Sequence, residues 1–196
     1  MTQALVTLII VALLAPAFAA DFDAGMKAYN RGDYEAALRE WRPLAEQGHA
    51  SAQNSLGSMY AFGEGVPQDD AEAAKWYRLA AEQGYARAQA ALGPMYVSGR
   101  GVPQDDAEAV KWFRLAAEQG NAWAQNNLGF MYASGRGVPQ DDAQAYAWFN
   151  VAAAQGDTGA AEARDRVAGR LTPEARNHAQ KLARAYWEVY VVPFRD

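Results

Sequence analysis

The sequence predicts an all-α solenoid of stacked antiparallel helix pairs, on three observations. A block of 36 residues recurs three times without a gap, each copy is split by a glycine- and proline-bearing breaker, and each half carries apolar residues at helical spacing. Leu56, Leu92 and Leu128 fall in register, as do Gly57, Gly93 and Gly129, and Tyr60, Tyr96 and Tyr132. Gly63, Gly99 and Gly135 each open a G-x-G-V-P-Q-D-D segment, which leads to Trp76, Trp112 and Trp148 and closes at Gly84, Gly120 and Gly156. A repeat of this length means helical units that bury their apolar faces only against one another.

Taken in order, the chain divides into residues 1–19, 20–49, three repeats at 50–85, 86–121 and 122–157, and a closing segment at 158–196. The first segment reads as a secretory signal. An uncharged apolar run from Ala4 to Leu14 is followed by Pro16 and by Ala17-Phe18-Ala19, the small-x-small form of a cleavage site, although Met1-Thr2-Gln3 lacks the usual positive charge. The rival is an uncleaved N-terminal membrane anchor, for which the 17 residues from Ala4 to Ala20 stand at the lower limit of a span. Cleavage leaves a periplasmic or secreted protein with no stable membrane insertion.

Residues 20–49 read as a shorter opening unit. Met26 to Leu38 folds around a Gly32-Asp33 turn, and Ala45-Glu46-Gln47-Gly48 repeats the A-E-Q-G ending of the later units. In the first full repeat a helix from about Ala50 places Ala52, Leu56, Met59 and Tyr60 on one face. Gly63 to Gln68 breaks it. Asp69 then stands three residues before Glu72, the spacing of an N-cap and its capping-box partner. The second helix carries Ala73, Trp76, Tyr77 and Ala80 as its stripe and ends at Gly84. Gly57 and Ala73 are small where the two helices must meet. In the second repeat Pro94 replaces Ser58 and Phe130 within a helix. Loss of a bond to the Ala90 carbonyl should cost about 3 kcal/mol and kink the helix, opening the groove there.

In the closing segment Thr172 caps a helix with Pro173 at its first position. Ala175, Ala179, Leu182, Ala183, Tyr186, Val189 and Tyr190 follow at helical spacing. The helix is expected to cover the apolar end of the last repeat; the competing reading is a partner-binding arm.

These motifs resemble those of the Sel-1-like repeats, relatives of the tetratricopeptide repeat. The pattern A-x-x-x-L-G-x-x-Y, G-x-G-V-P-x-D, A-x-x-W-[YF] and A-A-x-x-G occurs three times over residues 50–157. The resemblance implies a right-handed superhelix used for protein–protein contact, often in the bacterial envelope. Disulfide-stapled members exist, and this chain departs from them in having no cysteine.

Composition narrows the function. A net charge of −5 lacks the basic surplus that nucleic acid demands, and the absence of cysteine removes disulfides, thiolate metal sites and thiol nucleophiles. The two histidines, His49 and His178, have no metal-ligand spacing, and no serine is followed three residues later by lysine, as a β-lactamase nucleophile requires. Asp69-Asp70, Asp105-Asp106 and Asp141-Asp142 read as helix caps rather than catalytic or Ca²⁺-binding pairs. Trp76, Trp112 and Trp148 read as core rather than as a sugar-stacking ladder. No enzyme activity and no cofactor are expected.

Within the family's layout the first helix of each unit lines a concave wall. There the repeats vary between fixed Leu, Gly and Tyr positions. Asn54, Ser58 and Phe62 in the first unit correspond to Ala90, Pro94 and Ser98 in the second and to Asn126, Phe130 and Ser134 in the third. Arg87 and Trp123 are equivalents one turn earlier. The candidate partner-binding residues are therefore Asn54, Phe62, Arg87, Pro94, Trp123, Asn126 and Phe130. The expected protein is a monomeric exported scaffold that holds a protein or peptide in this groove, in envelope complex assembly or control of envelope signalling. The alternatives are a hydrolase of cell-wall or β-lactam substrates, and a carbohydrate or peptidoglycan binder using exposed aromatics. The mass of the intact protein from its native host should place Ala20 at its N-terminus; a membrane-bound product retaining Met1 would establish the anchor instead.

Overall fold

Aspartate starts and glycine stops most of the elements. In the computed structural model, which describes residues 20–194, the helices are α1 (Phe22–Asn30), α2 (Tyr34–Glu46), α3 (Ala50–Phe62), α4 (Asp70–Glu82), α5 (Ala86–Ser98), α6 (Asp106–Ala117), α7 (Ala122–Ser134), α8 (Asp142–Ala154), α9 (Thr158–Ala168) and α10 (Pro173–Tyr190). A 3₁₀ turn at Val192–Phe194 follows. The export signal expected over residues 1–19 lies outside the described residues. The Asp69 carboxylate accepts the backbone N–H groups of Ala71 and Glu72 at 2.9 and 3.0 Å, and Asp105 and Asp141 repeat this cap. Gly63, Gly99 and Gly135 end α3, α5 and α7 at φ of 69, 71 and 69°, a region only glycine enters without strain. The Asp69, Asp105 and Asp141 N–H groups reach back 3.0 Å to the carbonyls of Tyr60, Tyr96 and Tyr132 and close each hairpin loop.

Within a unit the helices approach until a side chain of one lies on the backbone of the other. A Cβ at Gly57 would stand 2.7 Å from the Tyr77 ring. Phe113 and Phe149 lie in the same way on Gly93 and Gly129, and Trp41 on Gly25 in the opening unit. Alanines fill the rest of the contact: Ala52, Ala73, Ala80, Ala88, Ala109, Ala116, Ala124, Ala145 and Ala152 are fully buried. Trp112 and Trp148 are core residues, 6% and 3% exposed, and Trp76 is half-buried.

Consecutive units are joined by a buried glutamine on each first helix, a feature absent from the expectations above. Gln53 Nε2 donates to the Ala45 carbonyl of the preceding unit at 3.0 Å, while its Oε1 accepts from Gln83, at the end of its own unit, at 2.7 Å. Gln89 and Gln125 repeat both bonds, to Ala81 and Gln119 and to Ala117 and Gln155. All three are at most 4% exposed. Arg78 and Arg114 add a second link, donating to the Tyr96 and Tyr132 hydroxyls of the next unit at 2.6 and 2.7 Å.

Pro94 leaves the span of α5 intact: α5 has the same 13 residues and the same left-handed glycine cap as α3 and α7. Proline at this position does not break the helix. Packing along both sides holds a helix that lacks one backbone bond.

The C-terminal helix departs from the second half of a fifth unit. It packs along α8 rather than on α9. Tyr186 and Tyr190 stack on Trp148, with ring centroids 4.4 and 5.6 Å away, and the Tyr186 hydroxyl donates to Gln144 at 2.6 Å. Burial holds the Tyr186 hydroxyl above its ordinary pKa. Its far end reaches the turn at Gly120, against which Tyr190 and Phe194 lie. The outer face of α8 is rewritten to receive it. Where α4 and α6 carry exposed Lys75 and Lys111, paired with Glu72 and Glu108, α8 carries fully buried Ala147 and the uncharged Gln144. Where they expose Leu79 and Leu115, α8 buries Val151.

Two outcomes test these joints. Gln89→Leu removes the bond to Ala81 and the one from Gln119, leaving the Ala81 carbonyl with the Gly84 N–H and the Gln119 amide with the Leu115 carbonyl, at about 0.5–1.5 kcal/mol for each hydrogen bond lost. Urea unfolding should therefore show a clear loss, against little change for the exposed Lys111→Gln; equal midpoints would deny the bridge its role. Restoring the outer face in the double substitution Ala147→Lys with Gln144→Glu should release α10, seen as rapid amide exchange confined to residues 173–190 and a lower melting temperature. Unchanged protection of α10 would show that these two positions do not seat it.

Candidate functional site: the seams of the first-helix wall

The rings that lie on the first-helix glycines have a second face. Tyr77, Phe113 and Phe149 turn it toward the seams between consecutive first helices from α3 to α9, and so give these three seams an aromatic floor. In the seam between α3 and α5 a hollow of about 220 Å³ lies over Tyr77, walled by Phe62, Ala91, Pro94 and Met95. In the seam between α7 and α9 an equivalent hollow of about 330 Å³ lies over Phe149, walled by Phe130, Val167, Arg166 and Arg170. A further space of about 240 Å³ continues it past Asn126, Asn127 and Gly159. The middle seam differs. There the Trp123 indole stands edge-on over Phe113, with centroids 5.8 Å apart.

The wall exposes large apolar side chains that nothing in the fold covers. Phe62 is 71% exposed, Phe130 55% and Trp123 48%. Arg87 is exposed, while Asn54, Pro94 and Asn126 are half-buried. The seven candidates do not form one cluster. Phe62 and Pro94 share the first hollow, Asn126 and Phe130 border the last, and Trp123 closes the seam between. Ala90, expected on the open face beside Pro94, is instead buried, at 7%.

Charge edges the seams in a regular order. Arg100 on one unit makes two bonds, 3.1 and 2.7 Å, to Asp70 of the unit before; Arg136 and Asp106 repeat them at 3.0 and 2.7 Å. Arg170 pairs with Asp142 at 3.0 Å. The Arg100 guanidinium holds the Asp70 carboxyl below its usual range, and burial pushes the Tyr77 hydroxyl up. At the opening unit the rung changes chemistry. Glu64 stands in the place of Arg100 and accepts the Tyr29 hydroxyl at 2.6 Å, which pushes the Tyr29 pKa up to about 12, first through that bond and then through burial. The paired aspartates thus divide the work: the first of each pair caps a helix and the second ties two units. Among the described residues no three His, Asp or Glu side chains gather as a metal site. His49 caps α3, accepting the Ala52 N–H at 3.4 Å.

Sequence reasoning missed Arg166 and Arg170 as members of the wall. Asp157 caps α9 as Asn121 caps α7, and Ala160 is buried as Ala124 is, so the register continues. That register puts Arg166 at the position of Ser58, Pro94 and Phe130.

The repeats have counterparts among known proteins. A family model of the Sel1 repeat matches residues 50–85, 86–121 and 124–157. The crystal structure of a Sel1 repeat protein from Oxalobacter formigenes superposes at a TM-score of 0.69 with 37% identity, over 71% of this chain and 58% of that one. That of a protective antigen of uropathogenic Escherichia coli strains with an SLR fold does so at 0.64 with 29% identity, over 88% of this chain and 46% of that one. Exopolysaccharide production negative regulators of Rhizobium leguminosarum bv. viciae and Rhizobium meliloti are 48% and 41% identical over 56 residues, 29% of this chain. The chain spans about a fifth (21%) of the length of these curated relatives. No described helix is long and apolar enough to cross a membrane. Helix pairs joined at these glycines and glutamines, together with a family model that covers more than half of the residues, place this chain in the Sel1 repeat family.

Proposed function

We propose that this protein is an exported, non-catalytic scaffold that binds a protein or peptide segment along the wall of its first helices. The observation that carries this reading is the exposure of Phe62, Trp123 and Phe130 on that wall, beside hollows with aromatic floors. Uncovered aromatics of this size are costly to solubility and are the side chains from which binding hot spots are made. The opposite face is largely covered by α10 at α8, where the remaining hollow of about 420 Å³ is edged by the polar Asn150, Gln180 and Arg184, and at α4 and α6 it carries Lys–Glu pairs. Its role is docking, bridging or inhibition of a partner, in assembly or control of envelope complexes. The partial likeness to negative regulators of exopolysaccharide production supports regulation by contact. Export rests on the apolar run and Ala17-Phe18-Ala19.

A photocrosslinking residue placed in turn at Phe62, Asn126 and Phe130 in the native host should yield one discrete adduct, with none from Lys75 or Gln180 on the other faces. With that partner in hand, Trp123→Ala with Arg87→Ala should weaken binding by a few kcal/mol, the scale of hot-spot truncation, with little loss of helicity. Crosslinks from the outer face alone would defeat the groove.

A further inference from the structure

We propose that the seam between α7 and α9 is the selective pocket of this groove and takes an aromatic side chain flanked by carboxylates on a partner peptide. The inference rests on the groove reading given above. Its strongest support is internal, because the repeats place four residues in one position. Ser51, Arg87, Trp123 and Gly159 are equivalent. In the middle seam that position is Trp123, whose ring covers Phe113 edge-on at 5.8 Å. One unit later it is Gly159, and the space over Phe149 is left open, as two adjoining hollows of about 330 and 240 Å³. The chain therefore displays, in its own middle seam, the kind of ring that the last seam accepts. A Cβ added at Gly159 would meet nothing closer than 3.4 Å, so backbone and neighbours do not crowd the opening.

The charge at the rim gives the second half of the specificity. Arg166 stands where the earlier units carry serine, proline and phenylalanine, and Arg170 one turn on. Arg170 is held by Asp142 at 3.0 Å. Arg166 has only a 3.9 Å contact with Glu162, both side chains being more than two-thirds exposed, at 71% and 77%. An incoming carboxylate competes there with a solvated, weak pair, and a guanidinium offers it two parallel bonds. Across the seam the Asn126 and Asn127 amides present neutral donors and acceptors suited to peptide backbone. The hollow between α3 and α5 lacks this feature, because Asp70 already engages Arg100 through two bonds. The chain as a whole is acidic at −5, so selection of an acidic segment is a local property of this rim, reaching about a Debye length of 8 Å in physiological salt.

The test uses the full chain, ¹⁵N-labelled, and three N-acetylated, C-amidated peptides: Phe-Glu-Glu, Phe-Lys-Lys and Ala-Glu-Glu. Calorimetry should show Phe-Glu-Glu binding at least tenfold tighter than either of the others, with amide shifts gathered in α7 and α9. Gly159→Trp should abolish that binding while leaving the melting temperature equal or higher, and Arg166→Glu should reverse the preference toward Phe-Lys-Lys. Equal or tighter binding of Phe-Lys-Lys, no binding of Phe-Glu-Glu, or unchanged affinity in Gly159→Trp would overturn the proposal. Shifts centred on α3 and α5 and lost in Phe62→Ala would overturn this pocket and leave the groove standing, whereas the groove itself fails on crosslinks from the outer face alone.

Discussion

One contact governs the rest of the molecule: an aromatic ring on the second helix of the units from α1 to α8, laid against a glycine of the first. The absence of a Cβ at Gly57, Gly93 and Gly129 brings the two backbones close enough for alanine to complete the interface. A ring so placed has one side against the glycine. Its other side is left between neighbouring first helices, where it becomes the floor of a seam. Core and seam therefore share the same side chains, and a substitution of Tyr77, Phe113 or Phe149 would alter both stability and the shape of the seam.

The joints between units explain how the wall can vary without loss of the stack. Backbone carbonyls at the end of one second helix are taken up by a glutamine from the next unit, and a second glutamine completes that amide. The bonds to the carbonyls are buried, and those between glutamines are partly so. Ion pairs such as Asp70–Arg100 are partly solvated and contribute about 0–1 kcal/mol each. Position is fixed by the buried joints, and the seam residues are free to differ, which is why the equivalent set Ser51, Arg87, Trp123 and Gly159 spans hydroxyl, cation, indole and no side chain.

Local chemistry made the helix pairs legible from the sequence. Asp69 and its equivalents cap where their spacing said they would, Gly63 and its equivalents end helices, and Trp112 and Trp148 are core. The site was legible as a wall but not as seams. Ala90 is buried although it sits at a variable position, so variability between repeats did not by itself mark exposure. The glutamine joints escaped notice since a polar residue in an apolar stripe reads as noise, although its recurrence at Gln53, Gln89 and Gln125 was in plain view. The seat of α10 was written in α8 as Ala147 and Gln144, and only their contrast with Lys75, Lys111, Glu72 and Glu108 reveals it.

That contrast sets where the array can change length. A tandem copy of the unit formed by α7 and α8 would leave one of two uncharged α8 faces without its C-terminal helix, exposing Ala147, Val151 and the Trp148 ring to water. A copy of the unit formed by α5 and α6 brings its own charged outer face and its own glutamine, and needs no lid. Lengthening of this solenoid is therefore easiest among its middle units, and the contact of α10 with α8 is a lock that such lengthening passes by.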